Sequence, residues 1–331
     1  MPTAGTETGR SSFGFWPGAM AGPQIAPEPA EPEPKEPGPD AVLAPDAEVD
    51  LAAARNESGV DEVLSKLDTD LVGLEPVKTR IAEIAALLLV DRARRRFGLE
   101  APRPNLHMCF TGSPGTGKTT VALRMASLLR QMGYLETGQL VHAMRNDLIG
   151  EYIGQTAPRT KKILDSAMGG VLFIDEAYYL YNPKDPNDFG QEAIGILLQV
   201  MENDRDKLVV ILAGYKDRMD EFFSSNPGMS SRIAHHLDFV DYELGELLSI
   251  GEVMLSQANY YLSPDAEAVL KQQLSRQMED PRFSNARSVR NDLDRARLRH
   301  AFRLSAEPDR LWGRDDLMRL EPFDVLDDEP G

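Results

Sequence analysis

The sequence predicts an α/β fold: a five-stranded parallel sheet between helices, followed by a smaller all-helical unit. Three observations predict it. Short apolar runs alternate with amphipathic helical stretches from Leu106 to about Phe239, a pattern that demands parallel βαβ units. A glycine-rich loop joins the first of those runs to a helix. After Asp241 the strand pattern stops and only helical periodicity continues.

The elements follow in order. Residues 1–58 read as a disordered tail, because the Ala26 to Pro37 stretch alternates proline with glutamate and cannot pack a core. Phe13, Phe15 and Trp16 form an aromatic cluster inside that tail: a docking peptide or simply an apolar patch. Order is expected from Gly59, where Val60, Val63, Leu64 and Leu67 recur at helical spacing. Pro76 suits the first turn of a long helix whose stripe runs from Val77 to Leu88 and which Gly98 ends. Strands are expected at Leu106–Phe110, Gln139–Ala143, Val171–Ile174, Leu208–Ala213 and His235–Phe239, with helices between them. Residues 59–241 are thus one α/β domain with N-terminal helices. Residues 242–304 form the helical unit and 305–331 an acidic C-terminal segment.

Composition narrows the function. A net charge of −17 argues against generic nucleic-acid binding, which draws on Lys and Arg. No run of eighteen apolar residues is present, so no membrane helix is expected. The single cysteine, Cys109, precludes an internal disulfide, and the acidic start lacks a secretory or transit pattern; a cytoplasmic protein is expected. The five histidines lack metal-ligand spacing, and the vicinal His235 and His236 point to opposite faces of a strand.

The chemistry lies in two motifs. Gly112, Ser113, Pro114, Gly115, Thr116, Gly117, Lys118 and Thr119 match G-x-x-x-x-G-K-[ST] at every fixed position. Glycines let the loop wrap so that amide N–H groups face phosphate oxygens, and the following helix adds its positive end. Lys118 is expected to neutralise the β and γ phosphates of ATP, the Thr119 hydroxyl to hold Mg²⁺, and Thr120 to lie beside it. The second motif is Val171 to Glu176, an apolar strand ending in two carboxylates where open α/β sheets place their ligands. Asp175 is expected in the magnesium shell and Glu176 against the attacking water.

Together, the phosphate loop, the Asp-Glu pair and the trailing helices resemble the AAA+ superfamily. The stretches Gly169–Tyr181, Gly190–Ala193, Ser231–His236 and Asp147–Pro158 resemble, more narrowly, the red-type Rubisco activase family (CbbX, CfxQ), over roughly residues 59–304. The resemblance implies an ATPase motor that forms a hexameric ring. It implies that Tyr152, Ile153 and Gly154 form a pore loop gripping a peptide, and that Arg232 is an arginine finger reaching the neighbouring subunit's nucleotide. It places Asn285-Ala286-Arg287 at the sensor-2 position, with Arg290 one turn on as the alternative, and Val72 and Gly73 at the adenine. The usual polar sensor 1 after the fourth strand is absent; Tyr215 stands there.

The resemblance further implies the target: the C-terminal tail of the red-type Rubisco large subunit, pulled to release a tight-binding sugar phosphate, with ribulose 1,5-bisphosphate as activator. An AAA+ ATPase acting on another protein or on a DNA-associated complex is the alternative. The latter needs basic pore loops or an appended DNA-binding module, and Glu151-Tyr152-Ile153-Gly154 is not basic.

Overall fold

The computed structural model describes residues 42–99, 102–182 and 188–326. The expected aromatic cluster and the Pro/Glu tract lie outside the described residues.

Three helices precede the sheet: α1 (Leu51–Glu57), α2 (Val60–Asp70) and α3 (Glu75–Arg96). The α/β part runs β1 (Met108–Gly112), α4 (Lys118–Gln131), β2 (Leu140–Ala143), α5 (Arg145–Leu148), α6 (Thr156–Ala167) and β3 (Val171–Ile174). It continues, after a 3-10 turn at Ala177–Leu180, with α7 (Gly190–Asn203), β4 (Val209–Gly214), α8 (Lys216–Ser225), α9 (Pro227–Ser230) and β5 (His235–Phe239). The C-terminal part holds α10 (Leu244–Gln257), β6 (Tyr261–Leu262), α11 (Pro264–Gln277), α12 (Ala286–Ser305), β7 (Arg319–Leu320) and α13 (Pro322–Val325).

The five long strands form one sheet in the order β2-β3-β4-β1-β5, every neighbouring pair parallel. Successive strand residues face opposite sides, so the central strands β1, β3 and β4 feed two cores. Met108, Phe110, Phe173, Ile211 and Leu237 pack with α2, α3, α4 and the C-terminal helices. Cys109, Leu172, Ile174, Val210 and Leu212 pack with the helices of the other face. β1, β3 and β4 are covered on both faces, which is why they read as apolar runs, whereas the edge strand β5 alternates buried and exposed residues. Burial, aided by Asp238 and Asp220, pushes the Cys109 thiol up to about 12, so it is an inert core group.

His107 caps the start of β1 from inside. Its Nδ1 accepts from the Val210 amide at 3.0 Å, so its Nε2 carries the proton it donates to the Met201 carbonyl at 2.9 Å.

Three features differ from the sequence expectation. Within the stretch read as tail, Leu51–Glu57 is helical, started by Asp50, whose carboxylate accepts from the amides of Ala52 and Ala53. None of its residues is buried, so no periodicity announced it. Second, the C-terminal unit is helical but not wholly so: β6 and β7 pair in parallel, Tyr261 beside Arg319 and Leu262 beside Leu320. Third, the segment after residue 304 folds back onto α12. The Asp324 carboxylate is fully buried; it accepts from Arg303 through Oδ1 (2.9 Å) and Oδ2 (2.7 Å), and Oδ2 also takes the Glu321 amide at 2.9 Å.

Candidate functional site

The site lies at the C-terminal ends of β1, β3 and β4, where parallel strands deliver their following loops to one edge. A cleft of about 560 Å³ opens there. Its floor is the glycine-rich loop and Asp175, Glu176 and Tyr215; one wall is Asp70, Leu71 and Val72 at the end of α2. The other wall comes from the C-terminal unit: Ile250, Val253 and Met254 of α10, and Ala286, Arg287 and Arg290 of α12.

The loop has the backbone its sequence requires. Gly115 and Gly117 take φ of 76° and 94°, values that L side chains rarely adopt. Thr116 is buried, and its hydroxyl donates to the Ser113 carbonyl at 2.8 Å, closing the turn. Lys118 opens α4 and sends its ammonium back into the loop, donating to Gly112 O (2.8 Å) and Ser113 O (2.7 Å). Burial lowers its pKa, against the opposing pull of Asp175 and Glu176.

Asp175 follows β3, its amide donating to the Ala143 carbonyl on β2 at 3.0 Å. One carboxylate oxygen accepts from the Glu176 amide at 3.1 Å; the other stands 3.6 Å from His142 Nε2. Glu176 sits in the left-handed region at φ 52°, which turns its side chain away from the strand direction. Burial, then the adjacent Asp175 charge, raises its pKa above the usual 4.5. Its Oε2 is buried and without a hydrogen-bond partner among the described residues, an acceptor facing a polar cleft.

These features fit a magnesium nucleotide. The loop offers amides and a cation to phosphates, Thr119 and Asp175 offer oxygens to a hard cation, and Glu176 offers an orphaned acceptor for water. Among the described residues no group of three or more His, Cys, Asp or Glu makes a metal cage. A divalent ion here would share its shell with the ligand's phosphates, the usual habit of Mg²⁺.

Of the residues singled out from sequence, Val72, Pro114, Gly115, Gly117, Lys118, Thr119, Thr120, Asp175, Glu176 and Arg287 line the cleft. Gly112, Ser113 and Thr116 shape the loop without lining it. Gly73 (φ 62°) is instead a close-packing point, where a Cβ would overlap the Glu246 carboxylate at the start of α10. Arg287 and Arg290, one turn apart, both reach the cleft, as does Tyr215, over which Arg218 stacks with its guanidinium carbon 5.5 Å from the ring centre.

Arg232 is elsewhere. It precedes β5, whose first residue pairs with Met108 at the opposite end of β1 from the loop. There its Nη1 donates to Gly228 O at 3.0 Å and its Nε lies 3.3 Å from Glu202. Tyr152, Ile153 and Gly154 are also outside the cleft. Tyr152 and Ile153 are 69% and 88% exposed, on a loop whose base is fixed by the Gly150 amide donating to Thr156 Oγ1 at 3.0 Å. Two large apolar side chains held in water on a pinned loop are arranged for contact rather than for packing.

Arg124 of α4 also lines the cleft, as do Tyr242, Ile250, Val253 and Met254 of the C-terminal unit, and none carried a sequence signal. They are ordinary core or helix-face types, and only the docking of the C-terminal unit brings the last four to the cleft.

Comparison with known proteins agrees with this geometry. Residues 108–239 match the family of ATPases associated with various cellular activities (AAA), and 243–330 match an AAA lid domain. The chromosomal CbxX protein of Cupriavidus necator is 61% identical over 276 residues, spanning 83% of this chain and 87% of that one. The CbbX protein of Cereibacter sphaeroides is 60% identical over 265 residues, 80% and 85% of the two chains. The chloroplastic ribulose bisphosphate carboxylase/oxygenase activase of Cyanidioschyzon merolae is 57% identical over 278 residues, 84% and 95%. Among solved structures, a RuvB mutant of Thermotoga maritima superposes with a TM-score of 0.51 at 19% identity, over 77% of this chain and 68% of that one, a likeness of fold. The chain is therefore an ATPase of the AAA family, belonging within it to the group of the CbbX, CbxX and CfxQ proteins.

Proposed function

We propose that this ATPase is a remodelling motor for red-type Rubisco, transiently pulling the C-terminal tail of the large subunit into a ring pore so that a bound sugar phosphate is released. The observation that carries the motor reading is the separation of three parts: a phosphate cleft roofed by a helical lid, an exposed Tyr152 loop, and Arg232 at the far end of the sheet. An arginine that cannot serve its own subunit's cleft suits a head-to-tail ring, in which each finger serves a neighbour. The ring is taken as hexameric. The activase name of the Cyanidioschyzon merolae relative supports the target. We take ribulose 1,5-bisphosphate as the activator.

In this reading the loop amides, Lys118 and Arg287 hold the triphosphate, while Val72, Ile250 and Met254 offer an apolar wall to the base. Thr119 and Asp175 would hold Mg²⁺, which would offset the charge of the ATP phosphates; ATP is the substrate whose terminal phosphoryl group passes to water. Glu176 orients the attacking water and accepts its proton at Oε2, and its raised pKa brings it closer to that task. Arg232 of the adjacent subunit stabilises the developing charge. Such fingers contribute about 10³- to 10⁵-fold in rate. Tyr152 grips the peptide by ring packing, which needs no particular sequence. Among the described residues no helix is long and apolar enough to cross a membrane.

The test is ATPase turnover with and without ribulose 1,5-bisphosphate and inhibited red-type Rubisco, paired with recovery of carboxylation. Stimulation and recovery are expected; neither occurring removes the activase assignment. Tyr152→Ala should abolish recovery while basal hydrolysis continues, and normal recovery by that variant would refute threading.

A further inference from the structure

We propose that Asn285 is a positioning residue that aims the phosphate-loop amides and ties their occupancy to the placement of the lid. The proposal rests on the reading of the cleft as the ATP site.

Asn285 ends the loop before α12 and is 1% exposed. Its backbone takes φ 49°, ψ −131°, a conformation natural to glycine and strained for any other residue. A strained non-glycine persists only where its side chain does something glycine cannot. Here the carboxamide joins three parts of the chain. Its Nδ2 donates to Asp241 Oδ1 at 2.8 Å and to the Pro114 carbonyl at 3.4 Å, and its Oδ1 accepts from the Tyr242 amide at 3.0 Å. Pro114 belongs to the phosphate loop, Asp241 and Tyr242 to the linker between β5 and α10, and Asn285 to the start of α12.

Its neighbours extend the contact. The Ala286 amide donates to Gly115 O at 3.3 Å, and the Tyr242 hydroxyl donates to Thr116 O at 3.2 Å. The carbonyls of three consecutive loop residues, 114, 115 and 116, are therefore held by the hinge of the lid. In a trans peptide the C=O and the next N–H point in opposite directions. Fixing those carbonyls thus fixes the amides of Gly115, Thr116 and Gly117 pointing away from the hinge. The same groups that bind phosphate are oriented by the part that must move, so binding at one biases the other.

Glycine at this position separates the two roles of the residue. Asn285→Gly relieves the backbone strain and deletes the carboxamide. It should unfold no earlier than the parent yet raise the KM for ATP about tenfold, with kcat at saturation falling less than about threefold. Asn285→Asp loses the donor and sets a carboxylate against Asp241, so its KM should rise at least as far. The exchanged pair Asp241→Asn with Asn285→Asp restores the hydrogen bond to position 241 in reverse but leaves the Pro114 carbonyl without a donor and facing a carboxylate, so its KM should stay well above the parental value. A parental KM in Asn285→Gly, or in the exchanged pair, overturns the proposal. The exchanged pair decides it if Asn285→Gly does not fold. Lys118→Ala, run beside them with a fluorescent ATP analogue, tests the underlying reading separately: undiminished binding there removes the ATP site itself.

Discussion

Gly115→Ala tests the close approach of the lid to the phosphate loop, and Gly133→Ala is its matched control. Both glycines are left-handed, at φ 76° and 73°. An alanine in that region costs about 1–2 kcal/mol. At Gly133 a Cβ meets nothing within 4 Å, so strain is the whole cost. At Gly115 the same Cβ would overlap the Ser284 carbonyl oxygen and lie 2.9 Å from the Arg287 amide. Those are backbone atoms, which no rotamer change moves aside, so the start of α12 must back away. Overpacking of this kind costs about 1–3 kcal/mol. Because it separates Arg287 from the loop, that increment should appear in nucleotide binding, as about a 5- to 150-fold rise in KM for ATP. Gly133→Ala should lose a few degrees of Tm and keep its KM within about twofold. Thermal unfolding and steady-state ATPase kinetics on both variants decide the matter. Equal KM values would refute the claim that this contact matters to the site.

Three further outcomes are expected. Burial and Asp175 raise the Glu176 pKa in the free enzyme, so Glu176 protonates, and kcat/KM falls, at a pH above the ordinary 4.5; Glu176→Gln should bind ATP, turn over poorly and lack that acid limb in a kcat/KM–pH profile. A limb at or below the ordinary carboxylate range would remove Glu176 as the base. His107 is held neutral by burial, with its pKa below 6.5; its stability contribution is complete above pH 6.5 and is lost as pH falls through that unfolded value toward the native one. Urea midpoints measured down that range should drop more steeply in the parent than in His107→Gln. Asp324→Ala leaves the half-buried Arg303 guanidinium and the Glu321 amide without their carboxylate, and should cost about 3 kcal/mol or more of stability by urea titration. A loss below about 1 kcal/mol would show that the C-terminal segment is not clasped by this pair.

The sequence by itself determined the sheet, the phosphate loop and the Asp175-Glu176 pair. Strands buried on both faces must be apolar throughout, a loop that cradles phosphate must have its glycines, and both are local demands written at fixed spacing. Only the tertiary structure decided which lid residues reach the cleft, since Tyr242, Ile250 and Met254 are types that any helix or linker uses. It alone revealed β6 and β7, two residues each, too short for any period to register and held by chain ends more than fifty positions apart. It alone gave Asn285 its place, because a carboxamide's meaning lies in what it bonds, and here its partners at Pro114, Asp241 and Tyr242 are brought together by the packing of the lid on the loop.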